Sequence, residues 1–220
     1  MTDGSVTHIL DAINQPVSFE ELLSPVAAAW DATREVVISL TPTPLERQPS
    51  AYVQTVWRER PRGEVSEVKV RALCNDSSVV LRLDWAAGEP RRSINDVNVY
   101  ADGCAVLFPA NGEAAELDTM GSPEKPVAAW HWRAGDEQPF SVTATGIGSV
   151  KRIVEHPIKV GARWGEGRWR VALGSPLPTD TVGLARGGAV PVAFAVWCGA
   201  ADDRGGLKSY SQQFHQLRLQ

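Results

Sequence analysis

The stretch "VSEVKVRAL", residues 65–73, alternates apolar and charged side chains along its length. Val68, Val70 and Ala72 fall on one face of an extended chain, and Lys69 and Arg71 fall on the other, because successive strand residues point to opposite sides. This pattern predicts a β-strand with one face against a core and the other towards water.

Other runs of the same length carry the same signal, and they are separated by Gly, Pro, Asn and Asp. The stretch "VPVAFAVW", residues 190–197, is apolar in both phases, which predicts a central strand covered on both faces. Further strands are predicted in "YVQTVW" (52–57), "SVVLRLDW" (78–85), "VNVYADGCAVLF" (97–108), "VAAWHWRA" (127–134), "FSVTATGIG" (140–148), "RWRVAL" (168–173) and "SYSQQFHQLRLQ" (209–220). In the last of these, Phe214 alternates with His215, and Leu217 alternates with Arg218.

So many strands, with no long helical stripe among them and no mid-chain linker, predict a mainly β protein. The favoured architecture is a single immunoglobulin-like β-sandwich with a few short helices. Residues 1–28 are predicted to be an N-terminal extension with one short helix, because "SFEELL" (18–23) begins with a serine that can cap it. Residues 29–220 are predicted to form the sandwich domain.

Composition excludes several classes of protein. A formal net charge of −4 argues against a nucleic-acid partner, which requires a concentrated basic surface. No apolar run approaches the roughly 18 residues that a membrane span needs. The start "MTDGSVTHILDAINQP" lacks the basic and apolar segments of a secretory signal, which favours a cytoplasmic or cytoplasm-facing location. A periplasmic location stays open if the start is processed or a complex carries the chain.

The chain shows no self-contained set of catalytic residues. Its four histidines lack metal-ligand spacing, no serine lies in a Gly-x-Ser-x-Gly turn, and no glycine-rich loop has the lysine of a phosphate site. The three cysteines form no Cys-x-x-Cys motif. We therefore predict that the protein is not an enzyme by itself.

Two features of the sequence nevertheless point to a ligand. Trp130 and Trp132 share one face of a predicted strand, with His131 opposite; core packing accounts for them, but such a pair can also stack on a sugar or a flat cofactor. Met120 lies in the polar turn of "LDTMGSPEKPVAAWHW", residues 117–132, and is the only methionine after the initiator. A thioether in a loop is either an apolar plug or a soft metal ligand, and both interpretations remain open at this point.

Several segments, in this order, resemble one known family. They are "AAWDATREVVISL" (28–40), "VVLRLDW" (79–85), "CAVLFP" (104–109), "MGSPEKPVAAWHWRA" (120–134), "GEGRWRVALGSPL" (165–177) and "VPVAFAVWCGAADDRGGLKSYSQQFHQLRL" (190–219). The chain is similar over about residues 29–220 to the haem b-binding γ subunits of the ethylbenzene dehydrogenase type. Such subunits also occur in dimethylsulfide dehydrogenase, chlorate and selenate reductases and nitrite oxidoreductase. The chain departs from the family pattern at Leu107, Cys198 and Phe214.

The resemblance implies a DOMON-like β-sandwich that binds one non-covalent haem b. It implies that Met120 of the Met-Gly-x-Pro loop and Lys208 of "DRGGLKSYS" are the axial ligands of the iron. The implied role is to pass electrons between a molybdenum catalytic α subunit, with its iron–sulfur β subunit, and a carrier such as a c-type cytochrome. Two strong axial ligands leave no open position on the iron, which fits electron transfer and the absence of catalytic residues.

Residues near Met120 in the sequence are candidates for the walls of such a pocket. They are Phe108, Val127 and Trp130, and Arg204 is a candidate partner for a haem propionate. Two other functions remain as alternatives. One is a carbohydrate-binding module that uses Trp130 and Trp132 as a stacking platform, and the other is a haem-free structural subunit.

Overall fold

The computed structural model describes residues 7–92, 99–179 and 182–220. The strands are β1 (Ile9–Asn14), β2 (Val36–Ser39), β3 (Thr41–Pro42), β4 (Glu67–Cys74), β5 (Ser78–Ala86), β6 (Gly103–Pro109), β7 (Val127–Arg133), β8 (Phe140–Ala144), β9 (Val150–Ile153), β10 (Lys159–Gly165), β11 (Arg168–Pro176), β12 (Ala189–Trp197), β13 (Ser209–Tyr210) and β14 (His215–Leu219). The α-helices are α1 (Phe19–Leu23) and α2 (Ala51–Val56), and short 3-10 turns span Ala28–Ala32, Leu45–Arg47 and Gly199–Ala201. In this part of the chain no helix has the length and apolar character needed to cross a membrane.

The strands form one continuous mixed sheet. Its order is β10-β11-β5-β4-β1-β14-β12-β6-β7-β8-β9, with β2 added on β4 and β13 lying between β12 and β3. The sheet folds back on itself, so that Leu83 and Val171 of one half share a buried core with Val106, Trp130 and Phe194 of the other. Apolar faces buried against each other in this way define a sandwich, and the predicted mainly β fold is confirmed.

The two stretches that predicted the fold behave as expected. In β4, Val68, Val70 and Ala72 are buried while Lys69 and Arg71 stay partly exposed. Strand β12 lies inside the sheet and is covered on both faces from Val192 to Val196. Alternation and continuous apolarity therefore identified a half-buried and a fully buried strand correctly.

The N-terminal segment contributes to the sheet as well as to a helix. Helix α1 begins after Ser18, whose hydroxyl accepts the N–H of Glu21 at 3.1 Å, as the predicted capping requires. Strand β1 runs parallel to β14 on one side and to β4 on the other. Residues 9–14 thus join the two halves of the sheet, although the sequence places residues 1–28 outside the sandwich.

Residues 52–57, predicted to be a strand, are helical instead. The Ser50 hydroxyl accepts the N–H of Val53 at 3.4 Å and caps α2, which covers most of this stretch. Local capping outweighs the β-branched composition here, because the segment connects two strands and none of the described strands pairs with it. In the run predicted at 97–108, residues 97 and 98 lie outside the described residues, and β6 begins at Gly103.

A hairpin was missed in "GARWGEGRWR". Glu166 and Gly167 both have positive φ angles, 55° and 69°, and they join β10 to β11 with Gly165 opposite Arg168. Two residues with positive φ are the signature of the tight turns whose twist matches that of adjacent strands. This stretch therefore contains the turn of a strand pair.

The C-terminal run is interrupted between β13 and β14. Ser211 exchanges two hydrogen bonds with the backbone of Phe194, each at 2.9 Å, and the chain bends before it resumes pairing at His215. Leu217 is buried and Arg218 exposed, as predicted, whereas Phe214 lies outside both strands.

We expect the protein to lose stability in mild acid partly because of His215. Burial, together with nearby His8, lowers the pKa of His215 to about 4. The folded state therefore binds fewer protons than the unfolded state between pH of about 6.5 and 4, so the free energy of unfolding falls as the pH falls through that range. His215→Phe should recover up to about 3 kcal/mol of this loss in urea unfolding measured at pH values from 7 to 4. Equal acid losses for variant and wild type would contradict this assignment.

Candidate functional site

A cavity of about 560 Å³ opens on the outer face of the β6–β7–β8 part of the sheet. Its floor is made of small or medium apolar side chains, Ala105, Leu107, Ala129 and Val142. Bulky residues alternate with them along the same strands but point into the sandwich core, as Val106 and Trp130 do. Small residues on one face and large ones on the other leave a recess above the sheet.

Three segments build the walls above this floor. The start of α2 and the residues before it form one wall, the β8–β9 turn and β9 form the second, and the turn before β13 forms the third. The lining residues of these segments are Gln48, Pro49, Ser50, Val53, Ile147, Gly148, Val150, Arg152, Arg204, Gly205, Gly206, Leu207 and Lys208.

Met120 reaches the cavity from a tight loop. Its φ angle is +62°, a left-handed conformation that a methionine adopts rarely, and its N–H donates to the Leu117 carbonyl at 3.3 Å. Arg47 donates to the Asp118 carboxylate at 2.8 Å and ties the loop to the chain beside α2. An unfavourable backbone conformation held by such contacts is common at functional sites.

The next residue explains why the loop is so tight. Gly121 has φ of +79°, and a Cβ at this position would lie only 2.5 Å from the Lys125 carbonyl oxygen and 3.1 Å from the Val127 nitrogen. Only glycine fits this close crossing of two backbone segments.

We therefore expect Gly121→Ala to lower the free energy of unfolding by about 2–4 kcal/mol, from left-handed strain plus the steric clash. Gly112→Ala is a matched control, because Gly112 has a nearly identical φ of +80° but nothing within 4 Å of the added carbon. It should cost only about 1 kcal/mol. Urea unfolding of both variants measures the difference, and equal losses would show that the crossing imposes no constraint.

Lys208 reaches the same cavity from the turn before β13. Its carbonyl oxygen accepts the Thr43 N–H at 2.9 Å and the Thr43 hydroxyl at 3.2 Å. Gln48 donates to the Gly206 carbonyl at 3.1 Å, and the backbones of Arg204 and Leu207 exchange two hydrogen bonds. The lysine turn is thus fixed from both sides.

The structure brings the two side chains predicted as ligands together. The Lys208 Nζ lies 2.5 Å from the Met120 Sδ, although the residues are 88 positions apart in the chain. Lys208 is only 4% exposed, and burial lowers its pKa to about 7. No ion pair involves Lys208 within the described residues, so a buried amine faces a thioether and no carboxylate compensates its charge.

The charge around the cavity is also one-sided. Its described lining includes Arg152, Arg204 and Lys208 but no Asp or Glu, although the whole chain carries a net charge of −4. Burial and, to a smaller extent, nearby positive charges lower the pKa of His131 to about 4. The His131 ring that faces the cavity is therefore neutral at pH 7. Such a site attracts an apolar ligand that carries anionic groups.

Of the predicted pocket residues, only Arg204 lines the cavity. Phe108 and Trp130 lie on the opposite face of their strands and pack against each other in the core, with ring centres 4.9 Å apart. Proximity to Met120 in the sequence was misleading, because strand alternation sends neighbouring residues to opposite faces. Val127 lies on the face of Met120 but supports the Gly121 crossing and does not line the cavity.

The tryptophan platform of the carbohydrate-binding alternative is also absent. Trp130 and Trp132 do share a face, but that face is the core, where they are 0% and 3% exposed. A sugar cannot stack on buried rings.

Sequence reasoning missed His131, Trp197 and the alanine floor. The signal for the floor was present: in "CAVLF" and "VAAWHW" alanines alternate with large residues, which indicates one open face and one packed face. Trp197 lies beside His131, with ring centres 4.8 Å apart, and only the three-dimensional structure brings it next to Lys208.

Comparison with known proteins adds family relationships. Residues 27–156 match the family model described as ethylbenzene dehydrogenase. The chain is 30% identical over 201 residues to the chlorate reductase subunit gamma of Ideonella dechloratans, covering 89% of this chain and 79% of that protein. It is 28% identical over 196 residues to ORF7 of Haloferax mediterranei, which is named as a respiratory nitrate reductase heme subunit. The aligned region covers 87% of this chain and 66% of that protein.

Solved structures support the fold. The chain is similar to a family 9 carbohydrate-binding module from Caldicellulosiruptor kristjanssonii in complex with glucose, with a TM-score of 0.53 and 9% identity, covering 96% of this chain and 95% of that one. At this identity the similarity concerns the arrangement of strands alone.

Proposed function

Because this chain belongs to the ethylbenzene dehydrogenase family of γ subunits, we propose that it binds one non-covalent haem b and transfers electrons. Met120 and Lys208 would hold its iron. The single observation that carries the proposal is the meeting of the Lys208 amine and the Met120 thioether in a cavity of about 560 Å³.

The donor set fits a haem iron. A thioether is a soft ligand that favours ferrous iron, and an amine binds a metal only after it loses its proton. Burial already lowers the pKa of Lys208 to about 7, so the neutral amine is accessible near neutral pH. The amine and the thioether are in contact with each other, so they would have to move apart to hold an iron between them. Both side chains end in flexible, unbranched segments that allow this movement.

The cavity residues account for the rest of the binding. The apolar floor would exclude water from the macrocycle, and Met120 and Lys208 would ligate the iron in place of a substrate. Bound haem supplies an iron that takes up and releases one electron without forming or breaking bonds to a substrate. In this proposal the protein is not catalytic alone and transfers electrons.

Two arginines are positioned to hold the carboxylates of the haem. Arg152 of β9 and Arg204 of the turn before β13 both line the cavity, and the Arg204 guanidinium lies 4.6 Å from the ring centre of Tyr100, which limits its movement. Charge-assisted hydrogen bonds from guanidinium to carboxylate are among the strongest that proteins form.

If these pairs form, esterifying the haem propionates should weaken binding to the wild type about tenfold or more, the equivalent of roughly 1.5–3 kcal/mol. In the double variant Arg152→Gln and Arg204→Gln, haem b and its dimethyl ester should bind with similar affinity. Fluorescence quenching titrations measure both. If esterification weakens haem binding equally in the wild type and in the double variant, residues other than Arg152 and Arg204 hold the propionates.

The proposal is tested most simply by titrating haem b into the cofactor-free protein. We expect saturation at one haem per chain and a low-spin spectrum in both oxidation states. A high-spin spectrum, or absorption that never saturates, would contradict the proposal. A colourless protein that still joins its complex would favour the haem-free structural subunit.

We further propose that the partners are a molybdenum catalytic subunit and an iron–sulfur subunit, with a c-type cytochrome or a similar protein as the external carrier. Support comes from the relatives, one of which is named as a subunit of chlorate reductase and another as a heme subunit of nitrate reductase. Co-purification of the three chains from the native source, with haem and molybdenum in equal amounts, is the expected result.

A further inference from the structure

Trp197 is a large side chain on the cavity side of the sheet, where its neighbours along β12 are small. It ends β12, where Ala193 and Ala195 precede it on the same face of the strand. Its neighbour across the pair is Gly103 of β6, which has no side chain to cover the indole. A bulky ring among alanines fills space that the fold otherwise leaves open.

Trp197 stands between two cavities. It lines the cavity of about 560 Å³ that contains Lys208, and it also lines a second cavity of about 240 Å³. The second cavity is bordered by Tyr100, Gly103 and Arg133 and is not lined by Lys208. The indole is therefore part of the wall that separates the lysine from this neighbouring space, and His131, Arg204 and Gly205 also line both cavities.

The indole is anchored to the lysine turn. Its Nε1 donates to the Gly205 carbonyl at 3.0 Å, three residues before Lys208. The Lys208 Nζ lies 5.3 Å from the centre of the indole ring, and the His131 ring packs at 4.8 Å. The turn backbone, the amine and the indole thus form one packed unit.

We propose that Trp197 is the positioning residue for Lys208: its ring confines the amine to the side of the cavity that faces Met120. Without the ring, the two cavities merge and the flexible lysine chain gains room to turn away from the thioether. Toward the haem this role rests on the proposed function, but the confinement itself is a property of the cofactor-free protein.

Confinement is measured first without haem, by acylating the lysines with acetic anhydride and following each site by mass spectrometry. Lys208 should react much more slowly than the exposed Lys159 in the wild type. Trp197→Ala should raise the Lys208 rate about tenfold, because a protecting wall is removed. Trp197→Phe keeps a ring in the wall and should stay within about twofold of the wild type.

Trp164 offers a matched control. It is also half-buried, and its Nε1 donates to the Ala87 carbonyl at 2.9 Å, far from the cavity. Trp164→Ala should leave the Lys208 acylation rate unchanged. If it raises the rate as much as Trp197→Ala does, or if Trp197→Phe matches Trp197→Ala, the confining role of the ring is overturned.

The second readout is made on the haem-loaded protein. Trp197→Ala should bind haem but show a mixed-spin spectrum, a shifted midpoint potential and faster haem transfer to apomyoglobin, while Trp197→Phe and Trp164→Ala resemble the wild type. An unchanged spin state and potential in Trp197→Ala would overturn the role toward the iron. If instead the wild type itself forms no low-spin haem, the proposed function fails, and the acylation result still decides whether Trp197 confines Lys208.

Discussion

Lys208→Met is expected to make the cofactor-free protein more stable and to change the ligation of bound haem. Lys208 is buried without an ion pair among the described residues, and burial lowers its pKa to about 7. At pH 7 this shift corresponds to a cost of about 4 kcal/mol relative to the unfolded chain, where the pKa is about 10.4. Methionine has a similar volume and no charge, so the variant escapes that cost. The variant offers the iron two thioethers and no amine, so the spectrum and the midpoint potential of bound haem should both shift, the potential towards higher values.

The pH dependence of the free energy of unfolding provides a second test of Lys208→Met. Between pH of about 7 and 10.4 the folded wild type binds fewer protons than the unfolded chain, so its free energy of unfolding rises with pH. The cost of burying the lysine is greatest below pH 7 and disappears above about 10.4. Lys208→Met should lack this rise.

Urea unfolding of the cofactor-free proteins at pH 7 and pH 9.5 measures both effects. Lys159→Met is the control, since the Lys159 side chain is 55% exposed and forms an ion pair with Glu20 on the surface. It should change stability by less than about 0.5 kcal/mol. A Lys208→Met protein that is less stable than the wild type at pH 7 would show that the amine has a stabilising structural role.

Met120→Leu is expected to lose low-spin haem while preserving the fold. Leucine matches the bulk of methionine and suffers a comparable strain at the φ of +62°, so the substitution removes the sulfur and little else. The iron should then have one open position, and haem affinity should fall about 10- to 100-fold. Exogenous imidazole should restore the low-spin spectrum by occupying that position.

Met120→His is the companion variant, because it replaces one strong ligand with another. It should keep a low-spin spectrum but lower the midpoint potential, since thioether ligation favours ferrous iron more than imidazole does. Potentiometric titration followed by absorbance measures the shift. If Met120→Leu retains the wild-type spectrum and potential, Met120 is an apolar plug and not a ligand.

The residues show how far the sequence predicts this fold. The alternation in β4 and the double apolarity of β12 reflect burial, which is a property of the strands themselves, and both predictions are confirmed. The strand predicted at 52–57 was wrong because Ser50 caps a helix there, and none of the described strands pairs with the segment. Strand β10 was missed because none of its side chains is fully buried and they show no clear alternation.

The site was predictable only in part. Resemblance led to Met120 and Lys208, and the structure places them in contact, but no periodicity connects positions 88 residues apart. Phe108 and Trp130 were misplaced because sequence distance from a loop does not tell which side of a strand faces it. Trp197 and His131 become neighbours of Lys208 only through the pairing of β12 with β6 and of β6 with β7.

X-ray absorption at the iron edge of the haem-loaded protein tests the central claim most directly. If the iron is held between Met120 and Lys208, the spectrum must contain one sulfur neighbour at about 2.3 Å and five nitrogens at about 2.0 Å. Met120→His should remove the sulfur and leave six nitrogens. An iron in the wild type with no sulfur neighbour would contradict the account.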